Sequence, residues 1–233
     1  MLRFVTKSEL WEAMANGHIP KNPITYHLKY VQDVIAMREI AAYRLERGNS
    51  ALCIGEAGAN HSRILPDLAE RGDRCFAVDV YDRSIGGGYT TKPEGVSYGF
   101  YECLMGESQG IIPDQHFDVL FSVSVVEHVP SDKLPAFFAD NLRVLKPGGL
   151  MVHLIDSYVT DEGVANPAAL AEYARVAWDG AEAFSPRDFR FSCAYATNPD
   201  NTMHGWNKAA PALAELRSRA QSCTLLLKAP KSS

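Results

Sequence analysis

Between Phe117 and Ile155 the spacing of apolar residues changes twice. Phe117 to Val126 is a run dominated by Val and Phe, too short and too β-branched for a helix, and it predicts a buried strand. Pro130, Ser131 and Asp132 then punctuate the chain and offer a helix start. From Lys133 to Leu145 the residues Leu134, Phe137, Phe138, Leu142 and Leu145 recur at helical spacing. Lys146-Pro147-Gly148-Gly149 predicts the stop of that helix. Leu150 to Ile155 predicts a second buried strand. Two apolar strands joined by such a helix make a βαβ unit of a parallel sheet. Ligands of these sheets sit at the carboxyl ends of the strands. Glu127-His128 and Asp156 fall there.

The same reading extends along the chain. Residues 5–16 predict a short amphipathic helix, and Pro20 and Pro23 break it off. Ile24 to Arg47 predicts a long helix with Leu28, Val31, Val34, Ile35, Ile40 and Leu45 as its stripe. Strands are expected at 51–58, at Cys75–Val80 and at Val96–Tyr101, with a helix over Arg63–Arg71. Residues 84–95 have loop composition, and 106–116 connect into the fourth strand. Beyond Asp156 we expect a helix over Pro167–Trp178, a strand over Phe189–Thr197, a helix over Ala209–Ala220 and a last strand at Cys223–Lys228.

Composition narrows the function classes. The chain has 233 residues with 46% hydrophobic content and a net charge of −5, so no global basic field draws it to nucleic acid or to an anionic membrane. No apolar run reaches the length of a membrane span, and the first residues lack the apolar core of a signal peptide. Five scattered cysteines without a CxxC pair favour reduced, buried thiols and a cytoplasmic location over a disulfide framework or a zinc site. Asn60-His61-Ser62 is a glycosylation sequon that, without a secretory signal, reads as part of a turn.

Phe117-Asp118-Val119, Glu127-His128-Val129 and Arg143-Val144-Leu145-Lys146-Pro147-Gly148-Gly149, at these spacings, resemble the fourth strand, helix and fifth strand of class I S-adenosylmethionine (SAM)-dependent methyltransferases. The resemblance is closest to those acting on small molecules and covers roughly residues 50–156. It implies an α/β fold: a Rossmann-like, doubly wound, mostly parallel seven-stranded sheet with helices on both faces. It also implies an N-terminal helical cap over residues 1–48 that acts as a lid, and a methyltransferase domain over 49–233 with 157–210 on the acceptor side.

A nucleotide-type cofactor needs a tight glycine turn after a strand and a carboxylate at the end of the next strand. The family's first motif is acid-x-Gly-x-Gly-x-Gly, and two registers compete for it. One uses Gly55, Ala57 and Ala59, with Cys53 in the acid's place. The other uses Glu56 as the acid and Gly58 as the first glycine, with Asn60 and Ser62 at the other two positions. The second-strand carboxylate follows the turn glycine by about 20 residues. Asp79 lies 21 residues beyond Gly58 and 24 beyond Gly55, which favours the Gly58 register. Asn and Ser carry a Cβ, so positive φ at either position brings strain, less for Asn than for Ser.

The resemblance then assigns roles. Glu56, Gly58, Asn60, Asp79 and Glu127 bind SAM, Glu107 is the nearest candidate for the adenine-side acid, and S-adenosylhomocysteine is the product. His128 is the candidate for a general base, and Asp156, at the strand's carboxyl end, is a second catalytic candidate that faces the acceptor. His153, inside the apolar strand, reads as a core residue. His204-Gly205-Trp206 is a weaker substrate-contact candidate, and no metal site is expected. The function expected is methyl transfer to a small-molecule acceptor, at an oxygen of a sugar or secondary-metabolite intermediate. The competing reading is a methyltransferase fold that binds SAM without methylating, as a cyclase-type enzyme or a partner-binding subunit; the irregular glycine motif favours it. Expected partners are the small-molecule acceptor and at most a second copy in a homodimer, with neither nucleic acid nor membrane.

Overall fold

The computed structural model describes residues 1–24, 28–81, 91–177, 189–190, 192–197, 214–216 and 220–230. Its centre is a parallel sheet with β2 (Cys53–Ala57) in the middle and every residue of that strand buried. β3 (Arg74–Asp79) and β4 (Gly99–Glu102) extend it on one side; β5 (Phe117–Val123) and β6 (Leu145–Thr160) extend it on the other. β8 (Gln221–Pro230) runs antiparallel along β6, and β1 (Leu2–Phe4) closes the edge antiparallel to β8. A two-residue strand, β7 (Gly163–Val164), also pairs with β6. The sheet therefore has eight strands where seven were expected.

From Val119 onward side-chain alternation along β5 sorts the two faces, while a register shift between Phe117 and Val119 places Phe117 out of step. Val119, Phe121 and Val123 join the cluster containing α2 (Leu28–Glu46) and α3 (Leu65–Glu70). Phe117 and Leu120 join the cluster containing α4 (Leu134–Val144) and α5 (Pro167–Ala177). The helix expected before Pro20 is α1 (Lys7–Ala15), which starts with a capping box between Thr6 and Glu9.

The signature residues 143–149 and Asp118 turn out to be fastenings. Arg143 donates to Asp140, Asp114, Ser108 Oγ and the Ile112 carbonyl, which ties the connection after β4 onto α4. Asp118 Oδ2 accepts from the Cys53 N–H and from Lys146 Nζ, both at 2.8 Å, joining β2, β5 and β6 at their amino ends. A Cβ on Gly149 would stand 2.8 Å from the Lys146 carbonyl, so only glycine fits there.

Several expectations change. Leu2–Phe4 is a strand, so the N-terminal segment is not helical throughout. β6 begins at Leu145 and not at Leu150, because the Lys146–Gly149 stretch continues as strand after α4 stops. The strand expected at Phe189–Thr197 is reduced, among the described residues, to isolated bridges of Tyr195 with Thr6 and of Thr197 with Cys223. Of the helix expected at Ala209–Ala220, residues 214–216 are described, and they are helical. The Gly86–Gly88 loop and His204-Gly205-Trp206 lie outside the described residues. All five cysteines are unpaired thiols, four of them buried.

Candidate active site

The chain turns sharply after β2, and Gly58 is what lets it. Gly58 has φ +64°, and a Cβ there would lie 2.5 Å from Val125 Cγ2. Its N–H donates to the Val78 carbonyl at the end of β3. Asn60 also adopts positive φ, +48°, and its N–H donates to Asp79 Oδ2 at 2.7 Å. Asn is the non-glycine residue that tolerates this region best. Ser62 escapes positive φ and takes another task. Its Oγ bonds Glu56 Oε2 and accepts from the N–H groups of Ile64 and Leu65 at the entry to α3. Gly55, the alternative turn glycine, lies within β2, where a Cβ would meet Leu120 and Phe117 at 2.9 Å.

The acids around this turn are held away from water. Burial raises the Glu56 carboxyl to about 8, against the pull of Ser62 and Arg63. Burial also raises Asp79, opposed by the N–H groups of Asn60 and Val80. Glu127 follows β5 in a single 3-10 turn, Val126–His128. The residue is partly exposed, but its carboxyl end is enclosed, and burial, then the charge of Asp156, push it well above the usual carboxylate range. Glu127 Oε1 accepts from the Asp156 N–H at 3.3 Å, while Oε2 has no partner. Asn60 Oδ1 is likewise buried and unpartnered. Buried polar atoms left unpaired are uncommon and costly; among the described residues the others are on Asn141, His153 and Thr224, away from the turn.

On the far side, Asp156 follows the stretch of β6 paired with β5. Gln32 of α2, fully buried, donates from Nε2 to Asp156 Oδ1 at 2.6 Å. Ser124 Oγ lies 2.7 Å from Gln32 Oε1 and 3.0 Å from Asp156 Oδ1. The Gln32 amide has one sensible orientation, since Nε2 faces two acceptors, Asp156 Oδ1 and the Leu154 carbonyl. Ser124 reaches this network through its backbone. Ser122 meets His153 on the α4 face, and regular alternation would send Ser124 to that same face. Instead Ser124 takes φ +53° and swings toward α2. His128 ends the 3-10 turn and is exposed.

The structure thus brings Glu56, Gly58, Asn60, Asp79, Glu127 and His128 to the carboxyl ends of β2, β3 and β5, with Asp156 just past the stretch of β6 that pairs with β5. Glu107 lies in the connection after β4, exposed and 3.4 Å from Lys133 just before α4. His153 packs against Phe137 and Phe138, accepts or shares a proton with Ser122, and is driven to about 3 by burial. Among the described residues no group of three or more His, Cys, Asp or Glu side chains is arranged to hold a metal ion.

Sequence reasoning missed Gln32, Ser124, and the ion pair of Asp33 with Arg63. A signal existed for two of them. Gln32 and Asp33 interrupt the apolar run of α2 yet are fully buried.

Residues 55–153 match the family model described as "Methyltransferase domain". That stretch, which contains the Gly58 turn, Asp79 and Glu127-His128, is similar to a methyltransferase domain. Among solved structures, the chain is similar to the Burkholderia thailandensis 1,6-didemethyltoxoflavin-N1-methyltransferase, with 17% identity over 85% of this chain and 79% of that one and a TM-score of 0.45. It is also similar to an S-adenosylmethionine-dependent methyltransferase from Mesorhizobium loti, with 18% identity over 82% and 97% and a TM-score of 0.43. No curated protein matches the chain in sequence. No helix among the described residues is long and apolar enough to cross a membrane.

Proposed function

We propose that this protein transfers the methyl group of SAM to an oxygen of a small-molecule acceptor and releases S-adenosylhomocysteine. The observation that carries the reading is the convergence of buried acids on the Gly58 turn. SAM offers an ammonium group and ribose hydroxyls, which are hydrogen-bond donors. The turn presents acceptors to match: the Asp79 carboxylate, the Glu56 carboxyl, and the unpartnered Asn60 Oδ1 and Glu127 Oε2. In this reading Asp79 takes the ribose hydroxyls and Glu56 the ammonium.

When bound, SAM supplies an already activated methyl group on a sulfonium. The protein's main task is alignment of the acceptor in line with it. Asp156 is suited to that task, because Gln32 and Ser124 both hold its Oδ1 and none of these bonds uses Oδ2. The acceptor hydroxyl loses its proton as the methyl arrives. Asp156 or the exposed His128 accepts it, and His128, on the 3-10 turn, is the group with direct access to water.

The test is incubation with methyl-labelled SAM and a panel of sugars and phenols, followed by mass spectrometry of the products. A product heavier by one methyl group at oxygen is expected. With that acceptor, Asp156→Asn and His128→Ala should lower turnover by about a hundredfold or more while SAM affinity changes little. Binding of SAM with no methylated product from any acceptor class would favour a non-methylating role.

A further inference from the structure

The turn from Gly58 to Arg63 is held by three side-chain tethers that involve acids. The Asn60 N–H donates to Asp79, Ser62 Oγ bonds Glu56, and Arg63 forms a two-pronged pair with Asp33 of α2. In that pair Arg63 Nε lies 2.5 Å from Asp33 Oδ2 and Nη2 lies 2.8 Å from Oδ1. Weaker contacts add to these: Tyr81 Oη at 3.4 Å from the Asn60 carbonyl and His61 Nε2 at 3.3 Å from the Thr91 carbonyl.

The first two tethers use the same carboxyl groups that the proposed function assigns to the cofactor. When the cofactor arrives, Asp79 and Glu56 must share or exchange their present partners. The Asp33–Arg63 pair needs no such exchange. The Asp33 side chain is 1% exposed and Arg63 is 21% exposed, so the pair is shielded from solvent screening. Its geometry is the planar fork that fixes orientation as well as distance. Gln32, the adjacent residue, holds the acceptor-side carboxylate Asp156. Two consecutive positions of one helix therefore grip the two halves of the site.

Resting on that reading of the site, we propose that Asp33 is a positioning residue: through Arg63 it keeps the Gly58–Ser62 turn in its cofactor-binding shape while Glu56 and Asp79 change partners. The N-terminal segment is then part of the cofactor site without touching the cofactor.

The experiment is titration calorimetry of the full chain with S-adenosylhomocysteine, well below the melting temperature of each protein, for wild type, Asp33→Asn and Arg63→Lys. Asp33→Asn keeps the shape but loses the charged fork. Its S-adenosylhomocysteine affinity should fall by about tenfold or more, since hydrogen bonds to charged groups are worth at least a factor of ten. Arg63→Lys keeps the charge and loses the second prong, and its affinity should fall less, by about threefold to tenfold. A purely structural pair would lower the melting temperature of both variants and leave the affinity of the folded protein unchanged. Affinity of folded Asp33→Asn within about twofold of wild type, or tighter, overturns the proposal; tighter binding would mean that Asp33 competes with the cofactor for Arg63. Should Asp33→Asn fail to fold, Arg63→Lys decides by the same criterion. Absence of S-adenosylhomocysteine binding by wild type would instead overturn the function on which the proposal rests.

Discussion

The two ends of the parallel strands treat their acids differently. At the amino ends every buried acid described has its partner. Asp73, its side chain fully buried, receives both prongs of Arg44 and the Leu52 N–H. Asp118 receives Lys146 and the Cys53 N–H. At the carboxyl ends Glu127 keeps an unpartnered oxygen, Asn60 keeps another, and Glu56 is buried at the expense of its charge. Two non-glycine residues sit at positive φ at each end, Asn60 and Ser124 here and Asn49 and Gln115 before β2 and β5. Conformations of this kind cost about 1–3 kcal/mol each and persist where surrounding structure enforces them. The buried acids of one end are paired and fasten the sheet. At the other end an acid and an amide keep unpaired oxygens, which is what a binding site needs.

The largest expected effect lies at the amino ends. Asp73→Ala leaves Arg44 and the Leu52 N–H without their acceptor and should destabilise the fold by about 3–5 kcal/mol, or a melting temperature lower by roughly 10 °C. S-adenosylhomocysteine affinity of the protein that remains folded should not change. The mirror-image variant is Asp79→Ala. It should weaken S-adenosylhomocysteine binding by about a hundredfold, the worth of two hydrogen bonds to a charged group, and move the melting temperature little. If both variants act on both readouts, the two ends are not separable and the comparison fails.

A smaller effect follows from Glu56. Its folded value of about 8 stands above its ordinary 4.5, so the folded state holds the proton that the unfolded state releases. Wild-type stability should then be fullest below about 4.5 and decline as the pH rises toward about 8. Glu56→Gln should lose that part of the decline, seen as a melting temperature that changes less between acid and mildly alkaline buffer. Binding of an ammonium group favours the ionised carboxylate, so wild-type affinity should rise with pH and level off above about 8. The smallest effect expected is that of Lys146→Met, whose ion pair with Asp118 is partly exposed on the lysine side; about 0.5–1 kcal/mol is lost.

The same division explains what was legible in the sequence. The parallel core could be read from runs such as residues 117–126 and 150–155, because burial on both faces leaves an apolar record. The Gly58 turn could be read because its carboxylate partner, Asp79, stands at a fixed spacing along the chain. β1 could not be read, since three residues carry no periodicity and their pairing partner lies at the other end of the sequence. Nor could the network around Asp156. Gln32 and Asp156 are 124 positions apart, and Ser124 reaches them only by a backbone twist that reverses its face. Gln32 and Asp33 did leave a trace as polar residues within an apolar stripe, which marks a buried partner without naming it.

A working cofactor site at the carboxyl ends of the strands should bind SAM and S-adenosylhomocysteine, and titration calorimetry of the wild-type chain with each ligand measures that binding. One site per chain and dissociation constants in the micromolar range, roughly −8 kcal/mol, are expected. No heat of binding from either ligand at millimolar concentration would contradict a working site there and would leave residues 55–153 similar to a methyltransferase domain in sequence alone.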